Sequence, residues 1–350
     1  MVSETTQTTA PGTPGRTYNS VDVAKICAAV MVAAIHSQPL EGLAKDIVID
    51  VFARVAVPFF FMASAFFFFR RPCTGRRLAG FVRRLGLLYL FWFVAELPIT
   101  VYNVFIHSGR SVGESLLVLL RGFVFGSTFS GSWFLMALIE GVPLVWLASR
   151  FLRPAALLAA GAALYAVAVA FSYYHAFLPP GLMAAADAYK AAIGGIQNSW
   201  VVAFLFCAAG KVVAEREDAM RRLPRRAVTA SLAVTCALSA AEVLAVKSVR
   251  DPDSTDIFFV LPLFALSFFL FVLTHEARGR ADYVRMRNYS TVFYLSHFVF
   301  VYIFVVINKH IAPVAPVLKY AAVLLLCTAT ARALTTLSAR RGLGWLRYGY

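Results

Sequence analysis

The sequence predicts an all-α protein, a polytopic membrane helical bundle of about ten transmembrane helices. Of its 350 residues, 60% are hydrophobic and only 15% are charged, whereas soluble domains carry about 25% charged residues. The mean hydropathy is +0.72. The apolar residues form continuous stretches, many of them close to the roughly 20 residues that a helix needs to cross a bilayer. Continuous stretches favour helices over the alternating strands of an outer-membrane barrel.

Ten segments fit this description in chain order. They lie near residues 22–39, 47–69, 85–106, 132–149, 154–173, 198–214, 227–247, 256–274, 288–307 and 313–338. Residues 1–20 are polar and rich in Thr and Pro, a composition typical of disorder, and are interpreted as a disordered cytoplasmic tail. The transmembrane domain is then expected over residues 21–340, followed by a second cytoplasmic tail over residues 341–350. The longest outer connection is expected around residues 174–197.

The distribution of Lys and Arg predicts the orientation of the bundle. With the N-terminus in the cytoplasm, the inner loops and tails carry 22 basic residues and the outer loops carry 7. This bias predicts a multi-pass protein of the cell inner (plasma) membrane with both termini cytoplasmic. Anionic membrane lipid accounts for the net charge of +15, so no nucleic-acid partner is expected. The five cysteines have no paired or metal-type spacing, which predicts neither disulfides nor a metal site.

The first segment carries two polar side chains whose spacing places them on one face of the helix. Lys25 and His36 are eleven residues apart, which places them within about 20° of one helix face and roughly 16 Å apart along the axis. Histidine suits general-base chemistry at neutral pH. The same spacing also fits a hydrogen-bonded packing histidine and a lysine that extends to the headgroups. Asp22, one turn before Lys25, is the expected partner of the lysine.

The second segment places Arg54 at a depth comparable to that of His36. A guanidinium at this depth requires a carboxylate, a phosphate or an oxyanion, and Asp50, one turn away, is the expected structural partner. Pro58 favours a kink that opens space for a ligand, and Ser64 follows within the same aromatic stretch. The run of phenylalanines at residues 66–69 is expected to face lipid.

Further polar and aromatic residues are weaker candidates. Glu96, Glu140, Glu242 and His297 lie within predicted segments, and Trp133 and Trp200 begin theirs, where anchoring at the membrane interface is the simplest interpretation. The basic stretch at residues 70–84 fits a surface that attracts a polyphosphate such as the nucleotide of coenzyme A. Topology and lipid contact are the simpler explanation of that stretch.

Several strings in this sequence resemble the acyltransferase 3 family of integral membrane O-acyltransferases. SVDVAKICAAVMVAAIHS at residues 20–37 and ARVAVPFFFMASAFFF at residues 53–68 resemble its opening. Lys25 and His36 match the family's basic residue and histidine with ten residues between them, while Arg54 and Ser64 match its Arg and Ser. Later strings resemble it in the same order: RRLGLLYLFW, SWFLMALI, NSWVVAFLFCAAGKVVAE and YSTVFYLSHFVFVY. Within the family, these strings are most similar to the branch that contains the membrane domains of membrane-bound serine racemases.

The resemblance implies transfer of an acyl group, usually acetyl from cytosolic acetyl-CoA, to a hydroxyl of a cell-envelope glycan or related acceptor. No metal is implied. The predicted site residues are His36 and Arg54 for catalysis, Lys25 and Arg84 for the acyl-CoA donor, and Ser64, Trp133, Glu140 and His297 for substrate. Three positions depart from the family pattern, at Ala65, Leu87 and Ser132, and bear on donor binding.

Two other functions remain open from the sequence. A small-solute transporter would also carry buried charges and broken helices. A noncatalytic membrane unit of a racemase-like system would leave acetyl-CoA unconsumed. Consumption of labelled acetyl-CoA separates both from an acyltransferase.

Overall fold

The computed structural model describes residues 18–252, 254–279 and 281–350, and every regular element in those ranges is helical. The helices are α1 Asn19–Ser37, α2 Gly42–Phe69, α3 Gly75–Ile106, α4 Val112–Phe125, α5 Trp133–Ala148, α6 Pro154–Ser172, α7 Pro180–Ala192, α8 Trp200–Glu215, α9 Glu217–Arg221, α10 Arg225–Val249, α11 Leu261–Thr274, α12 Tyr283–His310 and α13 Pro316–Leu337. In this part of the chain, seven are long and apolar enough to cross a membrane: α1, α2, α3, α6, α10, α12 and α13. Helices α5 and α11 are shorter and also apolar.

The predicted helical membrane bundle is confirmed, since each of the ten predicted segments lies on one of these helices. Three helices were not predicted: α4, α7 and the five-residue α9. Helix α4 begins with a capping box in which Ser111 and Glu114 satisfy each other's backbone N–H groups. Helix α7 lies in the connection expected around residues 174–197 and begins with Pro180, whose missing N–H costs nothing at that position.

Helix α1 lies inside the bundle, between α12 and α2, with α13 alongside. Its buried face is rich in alanine, including Ala24, Ala28 and Ala33, and small residues let helices approach closely in a membrane. Helix α2 packs along α8, which in turn contacts α5 and α6. The two helices that carry the predicted catalytic residues are therefore surrounded by protein.

Helix α2 changes geometry along its length. Residues Lys45–Phe52 form a π-helical stretch, Ala53–Val55 form a 3₁₀ turn, and Ala56–Phe69 form a regular α-helix. Pro58 lies early in the regular part, where its missing N–H interrupts the backbone hydrogen-bond ladder. Arg54 therefore lies in the irregular turn, and π-helical insertions of this kind are frequent near functional sites.

The expectation that residues 66–69 face lipid is wrong for two of the phenylalanines. Phe66 is 0% exposed and Phe68 is 4% exposed. Their rings contact Tyr18 and Phe81 respectively, at centroid distances of 5.8 Å and 4.8 Å. The inner half of α2 faces protein because neighbouring helices pack over it.

A cluster of charged side chains joins α1, α2 and α9 at the basic end of the bundle, which we define as the end that carries Arg70, Arg84, Arg221 and Arg287. Tyr18 donates a hydrogen bond to Glu217, which also accepts from Arg70 and Arg221. Burial, and then the bond to Glu217, raises the pKa of Tyr18 to about 12. Burial opposes ionisation of Glu217, but the three hydrogen bonds outweigh it and lower the pKa of that carboxyl. The predicted tail over residues 1–20 lies mostly outside the described residues, and α1 begins at Asn19.

The C-terminal residues fold back onto the bundle. After α13, Gly342 has a φ of +83°, which permits a sharp reversal, and Gly344–Gly349 form a 3₁₀ helix. The indole Nε1 of Trp92 donates to the Gly349 carbonyl oxygen at 3.0 Å. Residues 341–350, predicted as a cytoplasmic tail, thus pack against α3 at the basic end.

Candidate active site

Two cavities lie one above the other inside the bundle. The basic cavity, of about 850 Å³, is lined by Lys25, Arg84 and Arg287 at the basic end. The histidine cavity, of about 290 Å³, is lined by His36 and Arg54 nearer the opposite end. Tyr294 lines both cavities. One aromatic side chain thus forms part of the partition between them.

The basic cavity has an excess of positive charge. Its lining contains Lys25, Arg77, Arg84, Arg287 and Arg347, and no Asp or Glu of the described chain lines it. Arg287 is neutralised by a bidentate pair with Asp22, at 2.9 Å and 2.8 Å. Arg77 donates to backbone carbonyl oxygens, such as that of Arg71 at 2.6 Å.

The predicted pair between Asp22 and Lys25 is wrong. The planar guanidinium of Arg287 takes both oxygens of Asp22, a geometry that a lysine ammonium does not match. Lys25 instead lies 5.1 Å from the centre of the Phe67 ring and forms no ion pair with any described residue. Lys25, Arg77, Arg84 and Arg347 therefore line the basic cavity without an ion-pair partner among the described residues.

The two predicted donor-binding residues come together in this cavity. Lys25 on α1 and Arg84 on α3 both line it. Ser64 on α2, which was predicted to bind substrate, lines it as well. Aromatic side chains complete its walls, including Phe60 and Phe134. The cavity thus combines cations with apolar surface, a combination that suits a ligand with an anionic head and a slender uncharged arm.

His36 lies in the last turn of α1 and lines the histidine cavity. Its ring centroid is 4.1 Å from that of Phe298 and 5.2 Å from that of His297. The His36 ring forms no hydrogen bond with any described residue. The site therefore differs from one in which a carboxylate orients the histidine.

His297, predicted to bind substrate, lies behind the His36 ring. It is fully buried, its Nδ1 lies 3.2 Å from the Phe293 carbonyl oxygen, and its Nε2 has no hydrogen-bond partner among the described residues. The histidine cavity is not lined by His297. This placement suits a residue that positions His36 rather than one that touches substrate.

Arg54 is held by carboxylates on two sides. It pairs with Asp50 at 3.3 Å, as expected from the sequence, and also with Asp256, while Thr255 accepts from it at 2.6 Å. Its Nε is buried without a partner. Three of the five N–H donors of the guanidinium are thus used by protein, and the Nε–H and one N–H of Nη1 remain without a partner among the described residues.

Sequence reasoning missed Asp256, which lies more than 200 positions from Arg54 and also lines the histidine cavity. The string DPDSTD before α11 carried a usable signal, because acidic residues next to an apolar segment require basic partners. It also missed Gln197 and Asn198, which line the cavity with polar groups. Asn198 opens the quoted string NSWVVAFLFCAAGKVVAE.

Two further predicted substrate residues have different placements. Trp133 lines the histidine cavity, so it lies beside the site rather than serving only as an interface anchor. Glu140 lines neither cavity. Ser132, where the family pattern often has histidine, is buried, with its hydroxyl 2.7 Å from the Phe129 carbonyl oxygen and 2.9 Å from the Ser127 hydroxyl.

A family model and several known proteins match this chain. A family model described as an acyltransferase domain matches residues 18–335. Two proteins of Enterococcus faecalis, both described as amino-acid racemases, are 33% identical over 139 residues and 34% identical over 142 residues, each covering 38% of this chain and 19% or 20% of the relative. A serine/alanine racemase of Enterococcus gallinarum is 33% identical over 132 residues, or 35% of this chain and 18% of that protein. The match spans about a fifth of the length of these relatives. No solved structure matches this chain.

Proposed function

Because the chain belongs to the acyltransferase family, whose model covers residues 18–335, we propose that this membrane acyltransferase takes its acyl group from acyl-coenzyme A. Acetyl is the proposed acyl group, and a hydroxyl of a cell-envelope glycan or related molecule is the proposed acceptor. The observation that carries the proposal is the pair of cavities that share Tyr294, one basic and one containing His36.

The donor half of the proposal rests on charge. Coenzyme A carries several phosphate charges, and Lys25 and Arg84 line the basic cavity without an ion-pair partner among the described residues. Phosphate binding would neutralise both. The uncharged arm of the donor would then extend along α1 past Tyr294, toward His36. Under this proposal the basic end faces the cytosol, where acyl-CoA is made.

The chemical step uses the histidine cavity. The acceptor hydroxyl oxygen attacks the thioester carbonyl carbon while His36 takes the hydroxyl proton. A C–O bond forms, the C–S bond breaks, and the coenzyme A thiolate leaves and takes up the proton from His36. Arg54 lines this cavity and has N–H groups without a protein partner, which would serve the oxyanion that develops on the carbonyl oxygen, or the acceptor.

The decisive experiment is His36→Ala. We expect it to lower acyl transfer by about 10²- to 10⁴-fold, the usual contribution of a general base, while the protein still folds and inserts. Transfer is measured with labelled acetyl-CoA, membranes and envelope extract, after confirming equal amounts of folded protein. His310→Ala is the matched control, because His310 is an exposed histidine at the far end of α12. Wild-type rates in the His36 variant would refute the assignment.

A second candidate is a membrane unit that serves a racemase-like system. The identity of 33% or 34% to proteins described as racemases favours it. Under that function, labelled acetyl-CoA would never be consumed by wild-type membranes. Uptake of a solute into liposomes without acetyl-CoA would instead favour a transporter, the other alternative.

A further inference from the structure

The last residues of the chain are held in a defined position beside the basic cavity. The Trp92 indole donates to Gly349 at 3.0 Å, and the hydroxyl groups of Tyr350 and Ser338 are 2.6 Å apart. A Cβ on Gly349 would lie 2.7 Å from Cε1 of Phe91, so a side chain there would require the Phe91 ring or the segment to shift. This segment is therefore part of the folded bundle.

The docked segment supplies part of the cavity wall. Arg347, Tyr348 and Tyr350 line the basic cavity together with Lys25 and Arg84. Arg347 forms no hydrogen bond or ion pair with any described residue, and its side chain is exposed to the cavity and solvent. Tyr348 is half-exposed at 51%. Both side chains are free to contact a ligand.

The charge around the cavity calls for a polyanion. Lys25, Arg84 and Arg347 are unpaired cations on three different elements, and no carboxylate of the described chain lines the cavity. Like charges gathered around one cavity repel each other, and an anion bound among them lowers that repulsion. A guanidinium presents two parallel N–H groups that match phosphate oxygens, and a tyrosine ring offers a face for a nucleobase.

We infer that the C-terminal segment completes the donor site, with Arg347 binding a phosphate group of the acyl-CoA nucleotide and Tyr348 packing against its base. The inference rests on the proposed function and extends it to residues outside 18–335, the range that the family model matches. Donor recognition in this chain would thus depend on residues that the matched domain does not contain.

The test is equilibrium binding of coenzyme A to the purified full chain in lipid nanodiscs. We expect Arg347→Ala to weaken binding about tenfold, in line with the loss of one charge-assisted hydrogen bond. Arg347→Lys should retain part of the affinity, and Tyr348→Ala should weaken binding while Tyr348→Phe does not. Arg341→Ala is the matched control, since Arg341 is exposed nearby and does not line the cavity.

Salt dependence provides a readout that a folding defect would not change in the same way. Binding by the Arg347→Ala variant should fall less steeply with added salt than binding by the wild type, because one fewer charge contacts the ligand. If wild type binds coenzyme A and Arg347→Ala binds equally well with the same salt dependence, the inference is overturned and the proposed function stands. If wild type does not bind coenzyme A, the proposed donor fails as well.

Discussion

At the scale of single residues, the structure shows how the guanidinium of Arg54 is compensated within an apolar bundle by a network of carboxylates. Asp50 is only 1% exposed and accepts from Lys247 at 2.6 Å and from Arg54 at 3.3 Å. Asp46 and Asp256 provide the other carboxylates of this network. Removing one member of a buried ion pair leaves an uncompensated charge and costs about 3–5 kcal/mol. Truncation of Arg54 would therefore lower stability as well as any catalytic contribution, and a loss of activity could not be assigned to either.

Arg54→Lys separates the two roles. The ammonium keeps Asp50 and Asp256 compensated, so we expect folded protein in normal yield. The guanidinium N–H donors that no protein group binds are lost, and transfer should fall about 10²-fold, as when one oxyanion donor is removed. Acyl transfer and thermal unfolding should be measured on the same preparation.

Lys45→Ala is the matched control for this substitution. Lys45 also contacts Asp50, at 3.2 Å, but its side chain is 36% exposed, and Asp50 keeps Arg54 and Lys247 as partners without it. We expect near wild-type transfer from it. A wild-type rate in Arg54→Lys would remove Arg54 from the chemical step.

At the scale of elements, the 3₁₀ helix Gly344–Gly349 is the least expected part of the site. Gly349→Ala places a Cβ 2.7 Å from Cε1 of Phe91, so either the ring or the segment must move. We expect weaker coenzyme A binding from this variant, because Arg347 is displaced from the cavity wall, with little effect on the remainder of the bundle. Titration of coenzyme A into the nanodisc sample measures the change.

Gly344→Ala lies in the same 3₁₀ helix and is the control for Gly349→Ala. A Cβ at Gly344 meets no atom within 4 Å. Its affinity for coenzyme A should match that of the wild type. Equal affinity in the Gly349 variant would indicate that docking of this segment does not affect the donor site.

At the scale of the whole molecule, the proposal requires the basic cavity to face the cytosol. The Lys and Arg bias of 22 to 7 predicts this orientation. It can be measured with single cysteines in a variant whose five natural cysteines are replaced. In intact cells, a membrane-impermeant maleimide should label Arg110→Cys and leave Arg153→Cys unlabelled until the membrane is permeabilised. Both positions are exposed. The reverse pattern would place the basic cavity on the outside and exclude a cytosolic donor.

The predictability of the site differed from residue to residue. Lys25, Arg84 and Ser64 were predicted from the sequence and line one cavity, while His36, Arg54 and Trp133 line the other. A histidine and a lysine on one face of one helix follow from local spacing alone. The partner of Lys25 did not follow, because Arg287 lies 265 positions from Asp22 and competes for it only once α12 packs against α1.

The sequence by itself determined that this chain crosses a membrane, roughly where its helices lie, and which cations and histidines lie within its apolar segments. These properties depend on the composition of one segment at a time, since the free energy of inserting a helix is set by its own side chains. The tertiary structure alone decided that Asp256 pairs with Arg54, that the His297 ring lies against the His36 ring, and that Arg347 lines the basic cavity. Such contacts depend on how each helix is rotated against its neighbours, and packing between residues far apart in the sequence sets that rotation.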